Sequence, residues 1–210
     1  SAETRDIMES ANIHSGIFMN GQVVLYRDQL VYSSEIPTET VEKFHQMVKE
    51  DGYGLTAYND KQFYLVESSA GAKDAYGFIH TNPPALKQDF YKENPINMML
   101  FISLPPAEEK YKVAFPNLDF LRNTPYSVDV ISKGNSKAEG IKRFLEHLNQ
   151  EDAKTYAFGD GPNDIEMLQA VSHPVAMGNA LPILKEIAEY ITTDNTDNGI
   201  VNGLKHYGLI

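Results

Sequence analysis

The sequence predicts an α/β protein with a doubly wound core and a second α/β domain inserted into it. Three observations lead to this class. From residue 132 onward, strand and helix patterns alternate, which is typical of helices packed around a parallel sheet. Within that region, the apolar run 156–158 leads into an acidic loop and then a helical pattern. Residues 36–130 carry a helix, a hairpin, a strand, a helix and a strand of their own, which indicates a separate layer.

The amino-terminal residues predict a helix end followed by antiparallel strands. Residues 1–13 carry apolar residues on one helical face, and 17–35 alternate between strand formers and turn residues. Asn20-Gly21 is a strong hairpin turn signal. A helix is expected over 37–51, because apolar residues repeat at helical spacing and Asp51-Gly52 provides a stop.

The remainder of the inserted domain predicts a hairpin, two further strands and another helix. Strands are expected where β-branched and aromatic residues cluster, at 55–58, 62–66, 97–103 and 125–131. A helix is expected over 105–115, and 67–95 is expected to be irregular or to form short helices. The predicted boundaries are therefore 36–130 for the inserted domain, with 1–35 and 131–210 forming the core.

Composition excludes several classes of protein. The 210 residues carry 42% hydrophobic and 22% charged residues, as ordinary globular proteins do. The net charge of −11 comes without any basic block, so no nucleic-acid partner is expected. No apolar run approaches the ~20 residues of a membrane helix, so no membrane partner is expected. The chain has no cysteine, which excludes disulfides and is compatible with the cytoplasmic location that we expect.

The most informative stretch is the loop after the strand at 156–158. It carries two carboxylates, Asp160 and Asp164, and the carboxamide of Asn163, between glycines and a proline. Mg²⁺ prefers oxygen ligands and commonly binds one or two protein carboxylates while keeping several waters. Glycine, proline, asparagine and aspartate also form ordinary turns. The position of the loop after a buried strand favours a metal or ligand site over a simple turn.

A second candidate site residue is Lys137. Ser136 and Glu139 form a capping box, which places Lys137 in the first turn of a helix. The helix dipole disfavours a cation there, so an anionic partner is one explanation for the lysine. The alternative is a solvated surface lysine, which is common.

The acidic loop also resembles the fourth motif, Gly-Asp-Gly-x-Asn-Asp, of the haloacid dehalogenase (HAD) superfamily. The segment 175–180, Val-Ala-Met-Gly-Asn-Ala, extends the match, and 131–137 resembles the third motif. The closest resemblance is to Cof-type sugar-phosphate phosphatases, which have a HAD-like Rossmannoid core and a large α/β cap. The resemblance implies that Asp160 binds Mg²⁺ directly, that Asp164 supports the metal directly or through water, and that Asn163 orients substrate or a metal-bound water. It also implies that Lys137 binds the transferring phosphoryl group of a small phosphate ester.

The same resemblance calls for a nucleophilic aspartate in an Asp-x-Asp motif near the start of the chain. None of the thirteen aspartates has another aspartate two residues away. We therefore expect an incomplete core, a truncated chain that is inactive by itself, and a missing amino-terminal segment of the same protein as its partner. The substrate and the oligomeric state stay open.

Two alternatives are compatible with these residues. A catalytically inactive remnant would keep residual metal or phosphate binding or serve as a partner module, and the missing Asp-x-Asp favours it. A phosphomutase with a similar cap is also possible. Ion pumps share the acidic loop, but the lack of a membrane span argues against that class.

Overall fold

The computed structural model describes residues 4–210, apart from the side chains of residues 5 and 6. The chain divides into two compact units, Ser1–Asn135 and Ser136–Ile210. No helix within the described residues is long and apolar enough to cross a lipid bilayer. The mixed α/β class that the sequence predicts is confirmed.

The first unit contains five α-helices and eight strands among the described residues. Its helices are α1 (Arg5–Ser10), α2 (Thr38–Asp51), α3 (Ala72–Phe78), α4 (Phe90–Glu93) and α5 (Glu108–Ala114). Its strands are β1 (Gly16–Phe18), β2 (Val23–Tyr26), β3 (Gln29–Ser33), β4 (Gly54–Tyr58), β5 (Phe63–Glu67), β6 (Met98–Ile102), β7 (Leu118–Leu121) and β8 (Ser127–Ser132).

Strands β1, β2 and β3 form a small antiparallel sheet. The predicted turn at Asn20-Gly21 joins β1 to β2, and both residues have positive φ angles, of 53° and 91°. A second tight turn joins β2 to β3 through Arg27 and Asp28, whose φ angles of 50° and 62° match the twist of a hairpin.

The other five strands form an antiparallel sheet in the order β5-β4-β6-β8-β7. Helix α2 buries the predicted face, with Val41, Phe44 and Val48 fully enclosed, and it ends at Gly52 in the left-handed conformation. The Phe44 ring lies 5.0 Å from that of Tyr111 in α5, centroid to centroid. This aromatic contact joins the two helices over one core.

Two parts of the first unit differ in detail from expectation. The sequence pattern predicts no strand over 116–124, where β7 pairs with β8. Its four residues lie at the sheet edge and are too few for alternation to stand out. The first unit also groups residues 1–35 with the inserted domain. Hydrogen bonds from Asn97 to Ser34 and from Asn20 to Asp129 join these parts. The predicted grouping of 1–35 with 131–210 stays a prediction.

The second unit holds three parallel strands in the order β11-β10-β9, with four helices among them. Its elements are α6 (Lys137–Leu148), β9 (Tyr156–Gly159), α7 (Ile165–Ala170), β10 (His173–Ala176), α8 (Pro182–Ile187), β11 (Tyr190–Ile191) and α9 (Gly199–His206). A short 3-10 turn, Pro162–Asp164, leads directly into α7. The alternation of strand and helix is the pattern that the sequence predicts for a doubly wound core.

Candidate functional site

The candidate site lies at the carboxyl end of β9, in the second unit. Strand β9 ends at Gly159, and the acidic loop begins at Asp160. Gly159 is required here because a Cβ atom at this position would lie only 2.7 Å from the Cβ of Asp164. The sequence therefore allows the Asp164 side chain to fold back against the end of the strand.

Asp164 is buried, with 5% of its surface exposed, and both of its carboxylate oxygens accept hydrogen bonds. Oδ2 accepts from the backbone N–H groups of Asp160, at 3.0 Å, and Gly161, at 3.1 Å. Oδ1 accepts from the Lys137 ammonium at 2.5 Å. The carboxylate therefore closes the loop on itself and joins it to the first turn of α6.

Electrostatics keep Asp164 ionised. Burial by itself would raise the pKa of this carboxyl. The hydrogen bonds from Lys137 and from the Gly161 and Asp160 amides outweigh burial, so the pKa of Asp164 is lowered from its usual value. A negative charge at this position is therefore a stable feature of the folded unit.

Lys137 is placed by the Ser136 half of the capping box that the sequence predicts, whereas the Glu139 carboxylate contacts Arg143 at 3.2 Å. The Ser136 hydroxyl accepts from the Glu139 backbone N–H at 3.3 Å, and α6 begins at Lys137. About a third of the Lys137 side chain, 32%, stays exposed. The bond to Asp164 uses one of the three N–H donors of the ammonium. Within the described part of the chain, the other two donors are open to an anion.

Asp160 differs from Asp164 in being exposed. Its Oδ2 accepts a hydrogen bond from the Asn179 side-chain amide at 2.8 Å. Among the groups that the structure describes, none bonds to its Oδ1. Asn163 lies in the 3-10 turn, and its Oδ1 would lie 3.2 Å from a Cβ atom on Gly161. The four predicted site residues, Lys137, Asp160, Asn163 and Asp164, thus lie in one loop and one adjoining helix end.

The carboxylates of this site can be compared with the ligands that Mg²⁺ requires. Within the described residues, no group of three or more histidine and carboxylate side chains lies together. Two carboxylates with water suffice for Mg²⁺. Asp160 fits as a direct ligand because one of its oxygens is open, whereas the bonds to Asp164 suit a supporting role better. The metal assignment of both residues stays a prediction.

One residue of the site was not singled out from the sequence. Asn179 lies in the segment 175–180 that extended the family resemblance, but no role was assigned to it. Its contact with Asp160 spans 19 positions in the chain, so local patterns do not reveal it. The motif match was the only signal that pointed to this segment.

A family model for haloacid dehalogenase-like hydrolases matches residues 2–204. The chain therefore belongs to this family. It is 35% identical over 207 residues to a Bacillus subtilis protein named "Putative phosphatase YkrA", covering 98% of this chain and 80% of the relative. The predicted resemblance of this chain to the HAD superfamily and to the Cof-type branch is confirmed. By sequence and fold, the chain is a HAD-like phosphatase.

Solved structures agree with this membership. A hypothetical protein of Geobacillus kaustophilus superposes with a TM-score of 0.89 at 30% identity, covering 100% of this chain and 82% of the other. The HAD subclass IIB sugar phosphatase BT4131 superposes with a TM-score of 0.84 at 26% identity, covering 99% of this chain and 80% of the other. The predicted fold, a HAD-like core with an α/β cap, is confirmed.

Proposed function

We propose that this chain carries the charge-stabilising part of a Mg²⁺-dependent phosphatase site for small phosphorylated metabolites such as sugar phosphates. The observation that carries the proposal is the Lys137–Asp164 pair. It holds an ammonium with two open N–H donors against a loop whose first residue, Asp160, presents an open carboxylate oxygen. A cation and an open carboxylate held at one loop suit a phosphate ester together with its metal. The similarity to a sugar phosphatase supports the substrate class.

Each side chain has a distinct role in this proposal. The Lys137 ammonium binds the phosphoryl oxygens as a compact point charge. Asp160 holds Mg²⁺ directly, and Asp164 supports the metal directly or through water while it holds Lys137 in place. Asn163 orients substrate or a metal-bound water. When bound, Mg²⁺ supplies further neutralisation of phosphoryl charge.

We also propose that the 210-residue chain is inactive by itself. Charge stabilisation does not replace a nucleophile, and no Asp-x-Asp motif occurs in these 210 residues. Positioning of the attacking group accounts for much of phosphoryl-transfer catalysis. We therefore expect turnover only when a segment with this motif is supplied, and we place such an enzyme in the cytoplasm.

The test is a phosphatase assay with p-nitrophenyl phosphate and a panel of sugar phosphates, with and without Mg²⁺. The 210-residue chain is expected to show no turnover above background. A longer chain with an Asp-x-Asp segment at its amino end is expected to turn over substrate only with Mg²⁺. Transfer to a sugar bisphosphate instead of water would indicate a phosphomutase.

Within the active longer chain, Lys137→Ala should lower kcat more than it raises KM, because the charge that Lys137 meets grows in the transition state. The matched control is Lys133→Ala. Lys133 is exposed, and among the described residues its ammonium bonds only to the Pro116 carbonyl, at 3.4 Å. Turnover by the 210-residue chain that Asp160→Ala abolishes would refute the assignment of the missing nucleophile. An unchanged kcat in Lys137→Ala would remove this lysine from the mechanism.

A further inference from the structure

Asn179 bonds to Asp160 through one end of its side-chain amide and to a second loop through the other. Its Nδ2 donates to Asp160 Oδ2 at 2.8 Å, and its Oδ1 accepts from the Asn195 backbone N–H at 3.1 Å. Asn179 follows β10, whereas Asp160 follows β9, and these two strands pair in parallel. The amide therefore bridges the carboxyl ends of adjacent strands.

The Asn195 contact determines which way the amide faces. A backbone N–H can only donate, so the atom of Asn179 that meets it must be the oxygen. The NH₂ group is then directed at Asp160, where it can only donate. The carboxylate is a pure acceptor when ionised, so the two side chains are complementary in a single orientation.

The loop that carries Asn195 is itself held by backbone hydrogen bonds. The Gly178 N–H donates to the Thr193 carbonyl at 3.0 Å, next to Asn179 in the chain. The Asp194 carbonyl accepts from Asp197 at 3.0 Å and from Gly199 at 3.1 Å. Asn179 therefore bonds to a braced loop and not to a free surface segment.

We infer that Asn179 is a positioning residue that holds the Asp160 carboxylate in one rotamer, with Oδ1 left open for a divalent cation. The inference rests on the proposed function, since Asp160 is the proposed metal ligand. An exposed aspartate without such a bond samples several staggered χ1 rotamers. Ordering it on metal binding would cost conformational entropy, which the bond to Asn179 removes in advance.

The first test needs no metal. In the isotope-labelled 210-residue chain, the three-bond couplings of the Asp160 Cγ report its χ1 rotamer. They should indicate one rotamer in the wild type and averaging in Asn179→Ala. Asn202→Ala is the matched control, because Asn202 bonds to Thr193 and Asp197 in the same loop but has no bond to Asp160. It should leave the Asp160 couplings unchanged.

The second test titrates Mn²⁺ into the same chains and follows paramagnetic broadening of the amide signals around Asp160. Removal of a residue that orients a metal ligand typically lowers affinity by about 10-fold to 100-fold, so Asn179→Ala should weaken binding by at least about 10-fold. Asn202→Ala should bind within about twofold of wild type, and Asp160→Asn should lose the site.

The outcomes separate the inference from the proposed function. A single Asp160 rotamer in Asn179→Ala, or unchanged Mn²⁺ affinity, would overturn the positioning role and leave the proposed metal site standing. Equal losses in Asn179→Ala and Asn202→Ala would also overturn it, because loop integrity would then explain the effect. Wild-type protein without saturable broadening at Asp160 would instead refute the metal role in the proposed function.

Discussion

Replacing Asp164 by asparagine is the sharpest test of how the acidic loop is held. One carboxylate oxygen accepts from Lys137 and the other from the amides of Asp160 and Gly161, so both oxygens must be acceptors. Asparagine has one acceptor oxygen, and its NH₂ group must face a donor in either orientation. The substitution keeps the shape of the side chain but removes its negative charge and replaces one acceptor oxygen with a donor.

The expected cost follows from the burial of this residue. A hydrogen bond to a charged group contributes about 1.5–3 kcal/mol, and a buried unpaired donor costs about 1–3 kcal/mol. Because these effects overlap, we expect Asp164→Asn to lower the free energy of unfolding by about 3 kcal/mol. Lys137→Met should cost less, about 1–2 kcal/mol, because the lysine is partly exposed and the two amide bonds to Asp164 survive.

The assay is urea unfolding followed by circular dichroism, for wild type and both variants. Asp152→Asn is the control, since Asp152 is exposed and makes no hydrogen bond or ion pair in the described structure, and it should change stability by less than about 0.5 kcal/mol. A loss below about 1 kcal/mol for Asp164→Asn, or one no larger than that of Lys137→Met, would refute the reasoning.

The same carboxylate predicts a pH dependence. Because the pKa of Asp164 is lowered in the folded protein, its stabilisation is complete above the unfolded-state value of about 3.9 and is lost as pH falls through the lower folded value. The stability difference between wild type and Asp164→Asn should therefore be constant near neutral pH and shrink below about pH 4. A difference that stays constant down to pH 2 would contradict the assigned ionisation.

Two further predictions concern packing. Gln22 is fully buried, and among the described residues neither polar atom of its side-chain amide has a hydrogen-bond partner. Gln22→Met should therefore stabilise the chain by about 1–2 kcal/mol in urea unfolding. A loss of stability would show that the amide is satisfied in solution. Gly199→Ala should cost about 2 kcal/mol or more, because its new Cβ would lie 2.7 Å from Met177 Cε and collide with the Thr193 carbonyl. The matched control is Gly77→Ala. Gly77 is a helical glycine with open space around it, so this change should be neutral or stabilising in the same urea unfolding assay.

Local sequence chemistry determined the parts of the site that depend on neighbouring residues. The predicted capping box placed Lys137 in the first turn of a helix, because the bond from the Glu139 backbone N–H to the Ser136 hydroxyl joins residues three apart. An apolar run ending in glycine placed Asp160 at the end of a strand. Helix α2 was also predictable, since its buried face repeats at helical spacing and Gly52 ends it.

Tertiary structure alone decided how these side chains are used. The sequence predicted Asp160 as the direct metal ligand and Asp164 as its support. Only the structure shows that Asp160 is exposed with an open oxygen, whereas Asp164 is buried with both oxygens bonded. The Lys137–Asp164 bond joins residues 27 apart, and the Asn179–Asp160 bond joins residues 19 apart. Such contacts depend on the parallel register of β9 and β10 and on the packing of α6, which local periodicity does not encode.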